Sequence, residues 1–248
     1  EKGQWPDAGE VATLRVYVTK EIKRSVVVKA DDTLNKRDLQ QHPKEVAQAT
    51  KDEILIWIRN NCFEIANLKD ANNLMTSRYV AKWKQANGKW VIRMRLCLRG
   101  FQDVESFDVE TFAGTANRRS QRLLASEAAC HADWIIASLD VDKAFLTGFT
   151  YDELSQATGE PKRNVYFTLP LGSAQVLRSI PGWGSFDESK HCLTCTKPGI
   201  GTKDAPRAFS LKLRGTTRSF GLRSLSYDAE METKADLRTA KHVDDVNM

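Results

Sequence analysis

Two short acidic stretches decide how this chain folds in our interpretation: residues 139–146, LDVDKAFL, and residues 242–245, HVDD. Each stretch places bare carboxylates beside apolar, strand-forming residues. A folded core accepts carboxylates only when they are compensated, and where several converge the usual neutraliser is a hard divalent cation bound through oxygen. The two stretches therefore predict strands that bring their carboxylates together at a two-metal site for phosphoryl transfer.

The composition around these stretches is that of an ordinary globular chain. Its 248 residues are 41% hydrophobic and 28% charged, which suffices for one large domain or two small ones. The formal charge of +5 permits an anionic partner such as nucleic acid without requiring one. No run approaches the roughly 18 apolar residues of a membrane span, and the first five residues lack an apolar signal core. We expect an intracellular protein without a membrane partner.

The cysteines do not predict a disulfide framework. There are five, an odd number, and they are scattered along the chain, which fits reduced thiols. Only Cys192 and Cys195, preceded by His191, have a spacing typical of a metal site. Zinc would need a fourth ligand and a second close pair, and neither is evident. The alternative is a short strand that carries two small thiols.

The hydrophobic pattern predicts three helices. Residues 43–59 have apolar side chains close to helical spacing after Pro43, and residues 118–131 also have a helical pattern. A glycine-rich turn at 198–201 precedes a third helix that starts at about Lys203.

Strand patterns lie between these helices. The runs 78–84 and 89–97 flank Asn87-Gly88, and Asn-Gly between β-prone runs is a strong hairpin signal. Residues 165–170 predict another strand.

Two segments are harder to place from the sequence. Residues 1–42 contain β-like runs at 11–18 and 26–28 but form an N-terminal segment of uncertain structure. The polar residues 150–164 are expected to be an insertion on the surface.

Five blocks in this chain together resemble a copia-type LTR-retrotransposon reverse transcriptase. Their order and approximate spacing agree with that family, and the resemblance covers about residues 43–248. The blocks are residues 93–96 with 99–101, residues 110–112, residues 139–146, Gly201 with residues 205–209, and residues 242–245. Any one block would be a weak signal, whereas five in the same order are a strong one.

The resemblance implies an α+β fold of the polymerase type. We expect a palm with an antiparallel sheet that carries the carboxylates, helices packed behind it, and a β-rich fingers subdomain from about residue 63 to 113. Residues 43–248 would be fingers and palm only, because the chain stops just after residues 244 and 245, with no room for the strand that completes that hairpin or for a thumb. An integrase upstream and a ribonuclease H downstream are expected in the same Pol polyprotein.

The resemblance also implies an RNA-directed DNA polymerase that extends a DNA primer on an RNA template with deoxynucleoside triphosphates and two Mg²⁺ ions, or Mn²⁺ in their place. Asp140, Asp244 and Asp245 match the catalytic, metal-binding positions, and the carbonyl of Val141 matches a further ligand. Adjacent residues of a strand point in opposite directions, so a tight hairpin turn at Asp244-Asp245 is expected to reorient them. Asp142 is either a further ligand or a solvated carboxylate at the end of a strand.

Four residues match the nucleotide-binding positions of that family. Arg93 and Arg95 correspond to basic fingers residues that reach the triphosphate, and Phe145 to a bulky residue that disfavours a 2′ hydroxyl. Gly201 corresponds to a backbone position beneath the incoming nucleotide. Without the resemblance, the two arginines would be a solvated face and Phe145 would belong to the core.

Nucleic-acid contacts are expected from cations on the hairpin and at the start of the last helix. The candidates are Lys82, Lys84, Lys203 and Arg207, and each of them is equally well explained as a surface cation. The expected location is the cytoplasm or nucleus, including virus-like particles.

The sequence departs from the family at His242, where tyrosine is common.

Two other hypotheses also remain open. The chain is either a polymerase module or a truncated, inactive transposon relic that retains weak nucleic-acid binding. An unrelated metal-dependent nuclease would use the same carboxylates, but it would have no use for Phe145 or the turn at Gly201.

Overall fold

The computed structural model describes residues 32–86, 88–242 and 245–248, and for Asp245 it describes the backbone only. Several predictions from the sequence lie outside these residues: the strands at 11–18 and 26–28, the conformation of Asn87, and the placement of Val243 and Asp244.

Helices and strands alternate irregularly along the chain. The helices are α1 (Lys36–Gln41), α2 (Pro43–Arg59), α3 (Arg118–Cys130), α4 (Ala144–Thr147), α5 (Tyr151–Thr158), α6 (Ser173–Arg178) and α7 (Ala205–Ser219). The strands are β1 (Phe63–Asn67), β2 (Leu74–Ala86), β3 (Lys89–Leu98), β4 (Ser138–Asp140), β5 (Tyr166–Thr168), β6 (His191–Cys195), β7 (Arg223–Leu225), β8 (Asp228–Lys234), β9 (Leu237–His242) and β10 (Asp245–Asn247).

One five-stranded sheet, which we call the first sheet, has the strand order β1-β6-β5-β2-β3. The strand β6 pairs antiparallel with both β1 and β5, whereas β2 and β5 run parallel, with Leu74 opposite Tyr166. The long neighbours β2 and β3 flank Gly88, whose φ of +74° is the left-handed conformation expected in the predicted hairpin turn.

The first sheet has an aromatic and aliphatic core. Trp57 from α2 is fully buried and contacts Phe63 of β1 and Phe167 of β5, with ring centroids 6.2 and 6.0 Å apart. The carboxylate of Glu53 lies inside this core because it accepts hydrogen bonds from Trp57 Nε1 (3.1 Å) and from the Leu96 N–H (2.9 Å). The apolar face of α2 therefore covers the sheet, as its helical spacing predicts.

The other five-stranded sheet, which we call the second sheet, has the order β4-β10-β9-β8-β7, and its neighbours are antiparallel. One of its faces contributes Met231 and Ala240 to a small core with Leu124 of α3. Its opposite face buries Glu230, Glu232 and Lys241.

Contacts along the chain divide it into two compact units. One unit comprises residues 1–49 and 80–94, and the other comprises residues 50–79 and 95–248.

In the described part of the first unit, residues 32–34 form an additional extended segment beside β2. The Leu34 N–H donates to the Ala81 carbonyl (3.0 Å), and the Trp83 N–H donates to the Asp32 carbonyl (2.7 Å).

The predicted mixed α+β class is confirmed, since both helices and sheets form large parts of the structure. The helix predicted over 43–59 is observed as Pro43–Arg59, and the one predicted over 118–131 as Arg118–Cys130. Strand β5 lies within the predicted run 165–170.

The prediction for residues 150–164 is wrong in part. This segment contains α5, which begins with a capping box at Thr150 and Glu153, and its first residue Tyr151 is only 2% exposed. Arg163 also turns inward, towards Asp103 and Asp204. The polar composition concealed this burial because the charged side chains compensate one another.

The expectation that no strand follows the carboxylates at 244 and 245 is also wrong. Strand β10 starts at Asp245 and, although it has three residues, it pairs with both β4 and β9.

The helices of the described residues were also compared with the length and hydropathy of a membrane span. None of them has both the length and the apolar composition that a span requires.

Candidate active site

The strand register of the second sheet brings the two acidic stretches together. Asp140 in β4 is the direct antiparallel partner of Asp245 in β10, although about a hundred residues separate them in sequence. The ladder continues at Ala137 and Met248, which exchange two backbone hydrogen bonds of 2.8 and 2.9 Å. Hydrogen-bonded and non-hydrogen-bonded pairs alternate along an antiparallel ladder, so the pair of residues 140 and 245, three positions further on, has no mutual backbone hydrogen bonds. The Cα atoms of such a pair approach to about 4.5 Å.

On its other side, Asp245 is the partner of His242 in β9. The strands β9 and β10 are thus joined by residues 243 and 244, a connection of the length that antiparallel hairpins favour. The sequence placed the turn at Asp244-Asp245, but Asp245 already belongs to the strand. Asp244 lies outside the described residues.

Asp140 is exposed, which differs from the buried or half-buried carboxylate that the sequence predicts. Its neighbour Leu139 is also 51% exposed, so the end of β4 faces solvent. Among the side chains and backbone groups that the structure describes, none donates a hydrogen bond to the Asp140 carboxylate.

The residues after Asp140 form a tight turn into α4. The Val141 carbonyl accepts a hydrogen bond from the Ala144 N–H (3.2 Å) and keeps a second lone pair. Asp142 is strongly exposed and forms an ion pair with Lys143, whose φ of +56° is unusual for a residue with a side chain. Asp142 therefore has the solvated position that the sequence left as one alternative.

The available donors are of the type that Mg²⁺ prefers. Carboxylate oxygens from Asp140 and its partner strand, together with the Val141 carbonyl, are hard ligands. Among the residues whose side chains the structure describes, which exclude Asp244 and Asp245, no group of three metal-binding side chains occurs.

Phe145 is half-buried in α4 between two residues that are buried, Ala144 and Leu146. Part of the Phe145 side chain is therefore accessible to solvent. The core role and the nucleotide-gate role considered for Phe145 are both compatible with this position.

Gly201 has a clear structural reason to be glycine. Its φ is +103°, and a Cβ atom at this position would collide with the backbone of Leu98 at the end of β3. The adjacent Ile200 carbonyl accepts a hydrogen bond from the Leu98 N–H (2.8 Å). The turn before α7 is thus fastened to β3, and its predicted contact with a nucleotide stays a prediction.

The cations at the start of α7 differ in their availability. The guanidinium of Arg207 forms a bidentate pair with Glu160 at 2.7 and 2.9 Å and also donates to the Glu110 carbonyl. Lys203 is exposed, with its ammonium 5.3 Å from the ring centroid of Phe107. Lys203 also donates a hydrogen bond to Ser106 Oγ (3.0 Å), but it has no ion pair like that of Arg207 among the described residues, so it is the better candidate for a nucleic-acid contact.

The β2 and β3 residues of the larger unit include arginines that point outward. Along β3, Leu96 and Leu98 are buried, whereas Arg95 is exposed and Cys97 is half-buried. Burial raises the pKa of the Cys97 thiol, while the charges of Arg95 and Arg78 act to lower it. Arg95 therefore belongs to a positively charged, solvent-facing strand surface.

The other hairpin cations lie in the smaller unit. Lys82 is paired with Asp32 at 2.9 Å, whereas Lys84 is exposed near the tip, where Trp90 is 66% exposed. Arg93, which lies on β3 with Trp90, is half-buried. Exposed cations with an exposed indole are compatible with single-stranded nucleic acid.

A buried group of charged residues around Arg163 was not predicted from the sequence. Its guanidinium contacts Asp103 and Asp204, and it lies 3.3 Å from a carboxylate oxygen of Glu105. Burial alone would lower the pKa of Arg163, but the neighbouring carboxylates raise it above its usual value. Burial, followed by the charge of Asp204, raises the pKa of Tyr151 well above its usual range. No pattern in the sequence marks these residues as neighbours.

The predicted zinc alternative is not supported by the geometry. Cys192 and Cys195 are buried free thiols on β6, as expected for a short strand, and His191 Nδ1 accepts a hydrogen bond from the Asp187 N–H (3.0 Å).

Comparisons with known proteins do not assign a family. The chain matches neither the sequence profile of a known protein family nor a curated protein.

Proposed function

We propose that this chain is the fingers and palm part of an RNA-directed DNA polymerase, which transfers a deoxynucleotide from its triphosphate to a primer 3′ hydroxyl. The observation that carries the proposal is the register that sets Asp140 opposite Asp245 in an antiparallel sheet. Like charges directly opposite each other destabilise a sheet, and a bound cation would offset that cost. A divalent metal site is the simplest reason for a fold to keep this pair.

Asp140, Asp244 and Asp245 would hold the two metal ions, with the Val141 carbonyl as a further oxygen ligand. When bound, two such ions stabilise the charge that develops on the attacking, bridging and leaving oxygens. Mg²⁺ is the expected ion because all of these donors are hard oxygens, and Mn²⁺ accepts the same set.

The remaining residues would bind and select the substrate. Arg95, on the solvent-facing side of β3, offers a planar fork that suits the oxygens of a triphosphate, and Arg93 would do the same. Phe145 is half-buried, and the accessible part of its ring would exclude a 2′ hydroxyl by steric clash. Lys84 and Lys203, both exposed, would contact the RNA template and DNA primer through their phosphates.

A second candidate function is nucleic-acid binding without catalysis, as in a transposon relic. It is favoured by the ion pair between Arg207 and Glu160, which occupies one cation expected to contact the substrate. The exposed Trp90 and its neighbouring cations would bind single strands even if no metal were held.

Primer extension on a primed RNA template tests the proposal. Asp140→Asn is expected to lower the rate of DNA synthesis by about 10²–10³-fold, the loss typical of removing one group that stabilises transition-state charge. Asp142→Asn is the matched control, since Asp142 is two residues away, exposed and paired with Lys143. Equal synthesis by both variants would contradict the proposal, and salt-sensitive template binding without synthesis would favour the relic.

A further inference from the structure

One face of the second sheet is buried although charged side chains form it. Glu230 and Glu232 are two residues apart on β8 and so lie on the same face of the sheet, and Lys241 lies on the neighbouring strand β9. Their exposed fractions are 4%, 0% and 2%. Lysine and glutamate are almost never so buried unless they are paired, because the removal of a charge from water is costly. The compensation must therefore lie within this face.

The charges on this face balance one another. Lys241 Nζ lies 2.9 Å from Glu232 Oε1 and 3.7 Å from Glu230 Oε2, and Arg214 of α7 pairs with Glu230. We call these four residues the ion cluster. Glu232 Oε2 and the nearby Thr239 Oγ1 are buried and have no hydrogen-bond partner among the described residues. Lys241 is therefore the main compensation for the Glu232 carboxylate.

Lys241 is also the last buried residue of β9 before the acidic hairpin. Its partner on β10 is Val246, and the following pair is His242 with Asp245. Asp245 is in turn the partner of Asp140 on β4. Because only residues 243 and 244 join β9 to β10, a displacement of Lys241 along β9 would carry Asp245 with it, away from its place opposite Asp140.

A shift of β9 by one residue would exchange its two faces. Lys241 would then enter the apolar layer in which Ala240 packs with Met231 and Leu124. An unpaired ammonium in such a layer is strongly unfavourable, whereas an apolar side chain would tolerate the change of face far better. The ion cluster thus distinguishes the observed register from its nearest alternative.

We infer that Lys241 and Glu232 are positioning residues: their buried ion pair fixes the register of β9 and so holds Asp245 opposite Asp140. The inference about register stands on the geometry of the sheet, and its consequence for metal binding rests on the proposed function. Neither residue contacts the metal or the substrate in this account.

The test compares a broken pair with an apolar replacement of the whole pair. Lys241→Met leaves Glu232 buried without its cation, so this variant is expected to be strongly destabilised. Lys241→Met combined with Glu232→Met removes both charges and is expected to regain most of the resistance to urea. Lys234→Met is the control, because Lys234 lies at the exposed far end of β8 and its ammonium donates to the Phe220 carbonyl, away from the ion cluster.

Two readouts separate positioning from stability in the folded double variant. The first is the nuclear Overhauser effect between the Hα atoms of residues 140 and 245, which the close approach of such a pair makes observable. The second is Mn²⁺ affinity. We expect the first signal to weaken and the affinity to fall by about 10-fold, as when groups that orient metal ligands are removed. The Lys234→Met control should retain both.

The outcomes are distinguishable. A double variant that keeps urea resistance, the Hα contact and Mn²⁺ affinity would overturn the inference. Loss of the contact in a chain that binds no Mn²⁺ would support the positioning role and count against the proposed function instead. If the double variant does not fold, Lys241→Gln combined with Glu232→Gln replaces it, because both charges are then removed with little change of side-chain size; an unchanged Hα contact and Mn²⁺ affinity in that variant would also overturn the inference.

Discussion

The two sheets have the same number of strands but are held together differently. The first sheet buries Trp57, Phe167 and Leu193 in an apolar core, in which stabilisation depends on the area removed from water. The second sheet has a thin apolar layer on one face and the ion cluster on the other, with Lys241 paired to Glu232. The interior of the second sheet thus depends much more on directional charge pairs, whereas in the first sheet the Glu53 carboxylate is a single polar group within an apolar core.

This difference agrees with what each sheet carries. In the first sheet, the register of a long strand such as β3 is specified by its alternation of buried and exposed residues. The second sheet must place Asp140 opposite Asp245, and three-residue strands such as β4 and β10 have few backbone pairs with which to fix that register. A buried ion pair supplies the missing specificity at the cost of desolvation.

Removal of the central indole from the first sheet is expected to have the largest effect on stability. Trp57→Ala should lower the free energy of unfolding by about 3–5 kcal/mol, because a fully buried aromatic leaves a cavity. It also removes a hydrogen bond to Glu53, which stays buried. Urea denaturation followed by circular dichroism measures the change.

Trp90→Ala is the control for that substitution, because this indole is 66% exposed. Its effect should stay within about 0.5 kcal/mol. Equal losses for both variants would contradict the apolar core assigned to the first sheet.

A smaller effect is expected when the second sheet is acidified. Burial tends to raise the pKa of Asp228 at the start of β8, but hydrogen bonds from Ser120, Asn117 and Glu230 lower it below its usual value. A carboxyl group whose pKa is lowered in the folded state stabilises the protein above its ordinary pKa of about 3.9, and this contribution is lost as the pH falls through the lower folded value. Asp228→Asn should therefore reduce the loss of stability below about pH 4.

The measurement is a series of urea midpoints between about pH 5 and pH 2, since the effect lies below the ordinary pKa. Asp236→Asn serves as the control because this carboxylate is exposed between β8 and β9. The assignment fails if both variants lose stability with acid as steeply as the unaltered chain.

Local elements of the fold were predictable from the sequence. The helix Pro43–Arg59 follows from apolar spacing and an initial proline, and the β2–β3 hairpin follows from Asn87-Gly88. Both signals lie within a few residues of one another, so a single sequence is enough to read them.

Long-range features were not predictable in the same way. Polar composition assigned residues 150–164 to the surface, although Arg163 is held by buried carboxylates that lie far away in sequence. Lysine and glutamate are usually exposed, so nothing marked Lys241 or Glu232 as interior residues. The acidic stretches could be named from the sequence, but their pairing depends on strand register, which distant turns and packing determine.

A Mn²⁺ titration followed by electron paramagnetic resonance measures whether Asp140 and its partner strand bind a divalent cation. We expect the unaltered chain to bind Mn²⁺, Asp140→Asn to weaken this binding by at least about 10-fold, and Asp142→Asn to leave it nearly unchanged. Equal Mn²⁺ affinity for the Asp140→Asn variant and the unaltered chain would contradict the proposed metal site.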